Sequence, residues 1–193
     1  MFFISVPKFG WACNSPLVLD LDGDGLYTTG VDRGVRFDLN GNGAAERCGW
    51  IDPYEDDAFL WLDLNGNHQV DGGRELFGDS TATPDGSSPT NGFEALALYD
   101  RPEFGGNGDR KIDPEDLIWT SLRLWIDKNY DGKSASKEIF TLSDWDVRSI
   151  SLKYKRRLRV DGNDNVRAFW GIFDMGPGVQ RDIVDIFFQT IEE

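Results

Sequence analysis

Aspartate and asparagine stand at every second position, followed by glycine, five times along this chain of 193 residues. Alternate side chains of a tightly coiled loop converge on one point, and Ca2+ takes six to eight oxygens at about 2.3 to 2.6 Å. The spacing therefore reads as a calcium cage. Its strongest copy, DKNYDGKSASKE, sets Asp127, Asn129 and Asp131 at loop positions 1, 3 and 5, Gly132 at the turn in position 6, the Lys133 carbonyl at 7 and Glu138 at 12. Ala135 at position 9 leaves that vertex to water.

The other four loops depart from this pattern. Loop one carries Asp20, Asp22, Asp24 and the Leu26 carbonyl, with Asp32 at position 13. Loop two carries Asp38, Asn40, Asn42, the Ala44 carbonyl and Glu46 at position 9, and it lacks a closing acid of its own. Asp56 and Asp57 are the nearby candidates to supply one. Loop three has Asp63, Asn65, Asn67, the Gln69 carbonyl, Asp71 and a closing Glu75 at position 13. His68 holds its turn position, so this lone histidine reads as loop geometry and not as a catalyst. Loop four sets Asn107, Asp109, the Lys111 carbonyl, Asp113 and Asp116 at positions 3, 5, 7, 9 and 12. Gly105 stands where its first Asp belongs, and Asp100 is the residue expected to reach back and fill that place.

D-x-N-G stretches also form β-turns without any ion. Five such loops, most with three convergent oxygens, favour the metal. Charge argues the same way: 34 Asp and Glu against 20 Lys and Arg give −14, and five filled sites would leave about −4. Three to five Ca2+ are expected. Mg2+ keeps its waters and suits such cages less well, and one His and two Cys are too few soft ligands for zinc sites. The acidic field disfavours nucleic acid, and no apolar run is long enough to span a bilayer. Beyond calcium, no protein partner is readable.

The elements that must position these loops begin with short apolar segments rich in β-formers, at 16–19, 35–37 and 59–62, read as strands. Loops one and two then read as strand-loop-strand hairpins. Phe93, Leu96 and Ala97 fall at helical spacing, and Asp113 with Pro114 reads as a helix start. Basic and apolar residues largely alternate over 152–160 and turn at DGNDN into a second strand, with Lys153, Lys155, Arg157 and Arg159 on one face. That stripe reads as a solvated or carboxylate-paired sheet face. Residues 183–191 fit either a helix or a buried strand. The fold class expected is α+β: short strands and hairpins joined by EF-hand-like loops, a few short helices in the middle and a C-terminal hairpin. The division expected is an arm over 1–15 and one domain over 16–193, with lobes 16–90 and 91–193.

Taken in order, SPLVLDLDGDG, FDLNGNG, LDLNGN, DGGRELFGD, NGFEALALYD, GGNGD and LRLWIDKNYDG resemble the EF-hand-like calcium-binding domain related to the self-processing module of bacterial RTX proteins. The likeness covers roughly 15–142 and, more loosely, the C-terminal hairpin and IVDIFF. It implies a secreted or cell-surface bacterial protein, disordered without calcium and compact with it, whose C-terminal segment is a strand. In self-processing members calcium-driven folding cleaves an Asp-Pro bond just before the first strand, the Asp carboxyl attacking its own peptide carbonyl. Here that dipeptide is Ser15-Pro16, which lacks the carboxyl, so no cleavage is expected. Asp52-Pro53 and Asp113-Pro114 do not align with the scissile position. No other nucleophile has a recognisable base beside it, so an enzyme is not the expected reading. The opening MFFISV is interrupted by Pro7 and Lys8 and is not recognised as a signal peptide. Cys13 and Cys48 permit one disulfide that the sequence alone does not decide.

Overall fold

The computed structural model describes residues 15–191. Its strands are β1 (Leu17–Leu19), β2 (Thr28–Thr29), β3 (Val35–Phe37), β4 (Glu46–Cys48), β5 (Trp50–Ile51), β6 (Ala58–Leu62), β7 (Lys111–Ile112), β8 (Leu122–Trp125), β9 (Ile139–Thr141), β10 (Val147–Ser151), β11 (Lys155–Val160), β12 (Val166–Met175), β13 (Val179–Phe187) and β14 (Thr190–Ile191). The α-helix α1 (Gly92–Ala97) is six residues long and runs on into a 3-10 turn, Leu98–Asp100.

A curled antiparallel sheet of nine strands organises the chain, in the order β7-β10-β12-β13-β1-β6-β8-β9, with β11 alongside β12. It takes strands from both sides of residue 90. The segment left open between helix and strand is β13, which pairs with β12 from Val166↔Phe187 to Met175↔Val179. Two small sheets, β14-β4-β3 and β2-β5, stand apart from it.

Period-two alternation explains why the central strands read as nearly continuous apolar runs. In β6, Ala58, Leu60 and Leu62 join one apolar cluster, with Phe93, Leu96 and Leu124, while Phe59 and Trp61 join the other, with Phe37, Trp50 and Trp125. Both faces are buried, so polar residues have no place in the strand. On the second face the rings pack tightly, Trp50 to Phe59 at 4.6 Å and Phe37 to Trp50 at 5.2 Å between centroids. Truncating a buried Trp to Ala costs about 3 to 5 kcal/mol in such a setting. The first face is covered by α1, whose Phe93 lies against Gly171 of β12: a Cβ there would stand 2.7 Å from the ring.

The α+β expectation is therefore overturned. The protein is mostly β, and among the described residues there is one short α-helix and no helix-loop-helix pair flanks the loops. The reason lies beside them: loop five is entered from LRLW and left through IFT, segments that pair as β8 and β9. Branched and aromatic residues that pack on a sheet leave no helical stripe. Two local readings also fail. β1 pairs with β13 and β6, not with β2, so loop one is no hairpin, whereas loop two does join the paired strands β3 and β4. Asp113-Pro114 starts a turn, not a helix: the Asp113 carbonyl accepts from Asp116 N at 3.0 Å. The 1–15 arm, apart from Ser15, lies outside the described residues, as does Cys13. Cys48 is buried, with its thiol directed at the Phe37 and Glu46 carbonyls, and burial first, then Glu46, pushes its pKa up to about 12.

Candidate metal centres

The loops share one wiring. In each, a first-position carboxylate accepts the backbone N–H of the sixth residue: Gly25 to Asp20 (3.2 Å), Gly43 to Asp38 (2.8 Å), His68 to Asp63 (2.9 Å), Arg110 to Asp100 (3.0 Å) and Gly132 to Asp127 (2.9 Å). All five sixth residues have positive φ, from 61° at His68 to 103° at Gly25. The turn can thus be made without glycine, and His68 and Arg110 make it. Ring Nδ1 of His68 also lies 3.2 Å from Asp63 Oδ2. Burial raises Asp63, but the His68 and Gly66 amides and the His68 ring outweigh it and hold the carboxyl below its usual range.

Asp100 does reach into loop four, taking the amides of Gly108, Asp109 and Arg110. Third- and fifth-position side chains are turned the same way in loops two to five, Asn40, Asn65, Asn107 and Asn129 each accepting the amide two residues on. Asn42, Asn67, Asp109 and Asp131 in turn accept the seventh-position amides of Ala44, Gln69, Lys111 and Lys133. The closing acids lie across the coil. Glu138 accepts from Asn129 N and Ala135 N, Asp116 from Asn107 N and Asp113 N, and Glu75 from Leu64 N and Asp71 N. Asp71 holds the Asn65 and Asn67 amides, and Glu46 that of Asn40. Burial raises the pKa of Glu75, Asp116 and Asp127 against these amides.

Loop one is built differently. Among the described residues, acids converge three at a time only here, as Asp20, Asp22 and Asp57 and as Asp22, Asp24 and Glu55, with ligand oxygens within 4.8 Å of one another. Asp57 and Glu55 come from the β5–β6 connection. Asp57 thus lies with the acids of loop one, and Asp56 pairs with Lys128 at 3.2 Å. Asp32 stands apart in a 3-10 turn, and the Leu26 carbonyl accepts from Arg167 Nη2. Arg181 lies flat on Gly23, where a Cβ would meet its guanidinium at 2.3 Å.

Asp57 is 2% exposed, its Oδ2 accepts weakly from Tyr27 N at 3.4 Å, and its Oδ1 has no partner among the described residues. Burial first, then the Asp20 charge, pushes its pKa up to about 8. Burial also raises Asp20, and burial followed by neighbouring acids raises Asp24 and Glu55. Bare carboxylates so crowded repel; a divalent cation between them supplies the charge and the missing partner. Three hard oxygen donors, two of them on buried side chains, fit Ca2+. Sequence spacing missed Glu55 and named Asp57 as a candidate for loop two, because the contact depends on β2–β5 pairing, which sets the start of the β5–β6 connection beside loop one.

A mostly β protein that carries coiled acidic loops at the ends of its strands is the class defined so far. Residues 17–189 match the SPM domain model, and the chain belongs to that family. Over 173 residues it is 39% identical to the iron-regulated protein FrpA of Neisseria meningitidis serogroup C. That alignment takes in 89% of this chain and 15% of FrpA, so the chain spans a small part of its relative's length. Among the described residues no helix is long and apolar enough to cross a membrane.

Proposed function

We propose that this chain is the calcium-binding module of a secreted or cell-surface bacterial protein related to RTX proteins, one unit over 16–193 that folds on binding three to five Ca2+. The observation that carries the reading is Asp57: a buried carboxylate with an unpartnered oxygen, set against Asp20 and Asp22 at loop one. An ion that binds only the folded chain stabilises it by mass action, about 2.7 kcal/mol per site at a hundredfold excess over Kd. The ligands are the five loops' side chains together with Asp57 and Glu55.

The alternative, a calcium-dependent self-processing module, turns on Ser15-Pro16. That bond is held in place, Ser15 N donating to Asp79 Oδ1 at 3.1 Å and Pro16 bridging to Gly78. No carboxyl stands at residue 15, so the expected product is binding without cleavage. Calcium is titrated into chelator-treated protein while tryptophan fluorescence and chain mass are followed. A cooperative change with intact mass supports the binding module. A fragment beginning at Pro16 establishes self-processing instead, and an unresponsive chain ends the calcium reading.

A further inference from the structure

Strand β11 is unlike the rest of the molecule. Lys153, Lys155, Arg156, Arg157 and Arg159 fall within seven residues that hold no acid, in a chain of net charge −14. Every residue from Lys155 to Val160 is exposed, Leu158 by 51% and Val160 by 66%. The strand pairs with β12 along one edge, and among the described residues no strand lies along the other. Of the two expected states, a solvated or a carboxylate-paired face, the strand has the solvated one: among the described residues no ion pair involves these five side chains. Asp161, the nearest acid in sequence, is turned to Thr28 Oγ1 at 2.6 Å and Arg167 at 3.8 Å. Arg157 lies over the Trp170 ring, its guanidinium carbon 6.0 Å from the centroid, and its carbonyl accepts the indole N–H at 2.9 Å. The ribbon is thereby stiffened while its outer edge stays open.

We propose that the free edge of β11 is a docking edge for an acidic, extended peptide segment, which adds to the sheet as a further strand. Main-chain hydrogen bonds along an open edge supply affinity, and alternate side chains supply selectivity. Cross-strand pairs of opposite charge are favourable and like pairs are not, so a second copy's basic β11 is rejected and a Glu- or Asp-rich strand accepted. Range decides against polymers and bilayers. Six extended residues cover about 20 Å, and screening limits the patch's field to about 8 Å, so a short peptide meets only the basic stripe. A long nucleic acid or an anionic membrane meets the acidic remainder as well.

The full chain at saturating calcium is titrated against a labelled peptide of alternating Glu and Val, about seven residues long, by fluorescence anisotropy. The comparison probes are the same peptide N-methylated at alternate amides, a Lys-Val peptide, a single-stranded oligonucleotide and phosphatidylserine vesicles. The Glu-Val peptide is expected to bind at least ~10-fold more tightly than each of them, and to weaken with salt. In the triple variant Lys155→Glu, Arg156→Glu, Arg159→Glu the preference inverts toward Lys-Val, which also shows that the edge is still folded. Equal binding of the N-methylated peptide, or binding of oligonucleotide or vesicles as tight as that of the peptide, overturns the proposal in favour of a general polyanion surface. Binding of no probe overturns it too, leaving β11 as a charged edge that only blocks sheet pairing. Should the variant fail to fold, the wild-type N-methylation ratio decides alone.

Discussion

Loop five and loop one begin alike, with a buried Asp accepting two loop amides around a glycine of positive φ, and they close in opposite ways. Loop five is closed from within twelve residues by Glu138, which is fully buried and accepts the amides of Asn129 and Ala135. Beside loop one the acid set opposite comes from another strand connection: Asp57, whose Oδ1 no group among the described residues satisfies. A closing acid already held by its own loop makes a centre that is shaped before the ion arrives. A closing acid brought from elsewhere makes a centre whose ion ties two segments together.

Removing calcium tests both centres at once and carries the largest expected effect. With three to five sites each contributing about 2.7 kcal/mol at a hundredfold excess over Kd, chelation is expected to remove an amount comparable to the ~5 to 15 kcal/mol that ordinarily holds a domain folded. Circular dichroism before and after chelator then reads loss of the sheet; an unchanged spectrum and melting temperature would show that the fold stands without metal.

Single substitutions separate the two centres. Trp50 Nε1 donates to Asp127 Oδ2 at 2.9 Å, so loop five is wired into the aromatic cluster, while beside loop one Tyr27 N donates to Asp57 and its hydroxyl to the Asp24 carbonyl. Glu138→Gln is expected to shift the tryptophan-detected calcium transition to at least ~10-fold higher calcium, because a bidentate ligand is lost. Asp57→Asn is expected to leave that phase in place and to reduce the number of ions bound by one, read by calorimetric titration. If both variants moved the tryptophan transition equally, the loops would act as one cooperative site and the contrast between them would fall.

The same contrast explains what the chain reveals in one dimension. Residues that share a coil, such as Asp127, Asn129, Asp131 and Glu138, announce themselves by spacing, because the turn geometry is local. β1, β3 and β6 were legible for the same reason, as apolar runs between turns. Asp57 was named as a candidate for loop two and lies instead beside loop one, since its neighbour depends on β5 pairing with β2 across more than twenty residues. The sheet as a whole was hidden likewise: nothing in DIVDIFF says that it lies between β12 and β1, and helical spacing of its apolar residues fits that stretch equally well. Burial on both faces erased the alternation that would have marked a strand.

Asp185 sharpens the comparison with Asp57. Both are buried acids pushed up to about 8, chiefly by burial; among the described residues Asp57 Oδ1 has no hydrogen-bond partner, whereas the Gly92 amide and the Ser15 side chain face Asp185 and partly offset its burial. Asp185 lies under the N-terminus of α1, where its Oδ2 accepts from Gly92 N, away from every calcium loop. Between the unfolded value near 3.8 and the folded value near 8, the folded chain holds a proton that the unfolded chain has lost. Stability therefore falls as pH rises through that window, by up to ~1.4 kcal/mol per unit for each such acid, and levels off above it. On the proposed reading calcium relieves Asp57 and not Asp185. In saturating calcium Asp185→Asn is thus expected to flatten the fall between pH 5 and 8 while Asp57→Asn does not flatten it, measured by urea denaturation along the pH series. A calcium-loaded wild type whose stability is flat over that range would place the Asp185 carboxyl outside the buried, protonated state.

The smallest expected effect lies at the turn itself, where loops three and five use different residues for one geometry. His68 is at φ 61° and 91% exposed at its side chain, and Gly132 is at φ 68° with Arg36 O only 2.9 Å from where a Cβ would stand. His68→Gly removes the left-handed strain and the ring's contact with Asp63, but adds backbone freedom to the unfolded chain. These nearly cancel, and a change within ~1 kcal/mol is expected, with calcium stoichiometry unaltered. Gly132→Ala meets both the strained φ and the carbonyl, with no compensating gain in the folded chain, and is expected to cost more than ~1 kcal/mol. Paired melts of the two variants in calcium read the difference directly: equal losses would mean that the strained φ and the Arg36 carbonyl cost Gly132→Ala no more than the lost ring contact and added chain freedom cost His68→Gly.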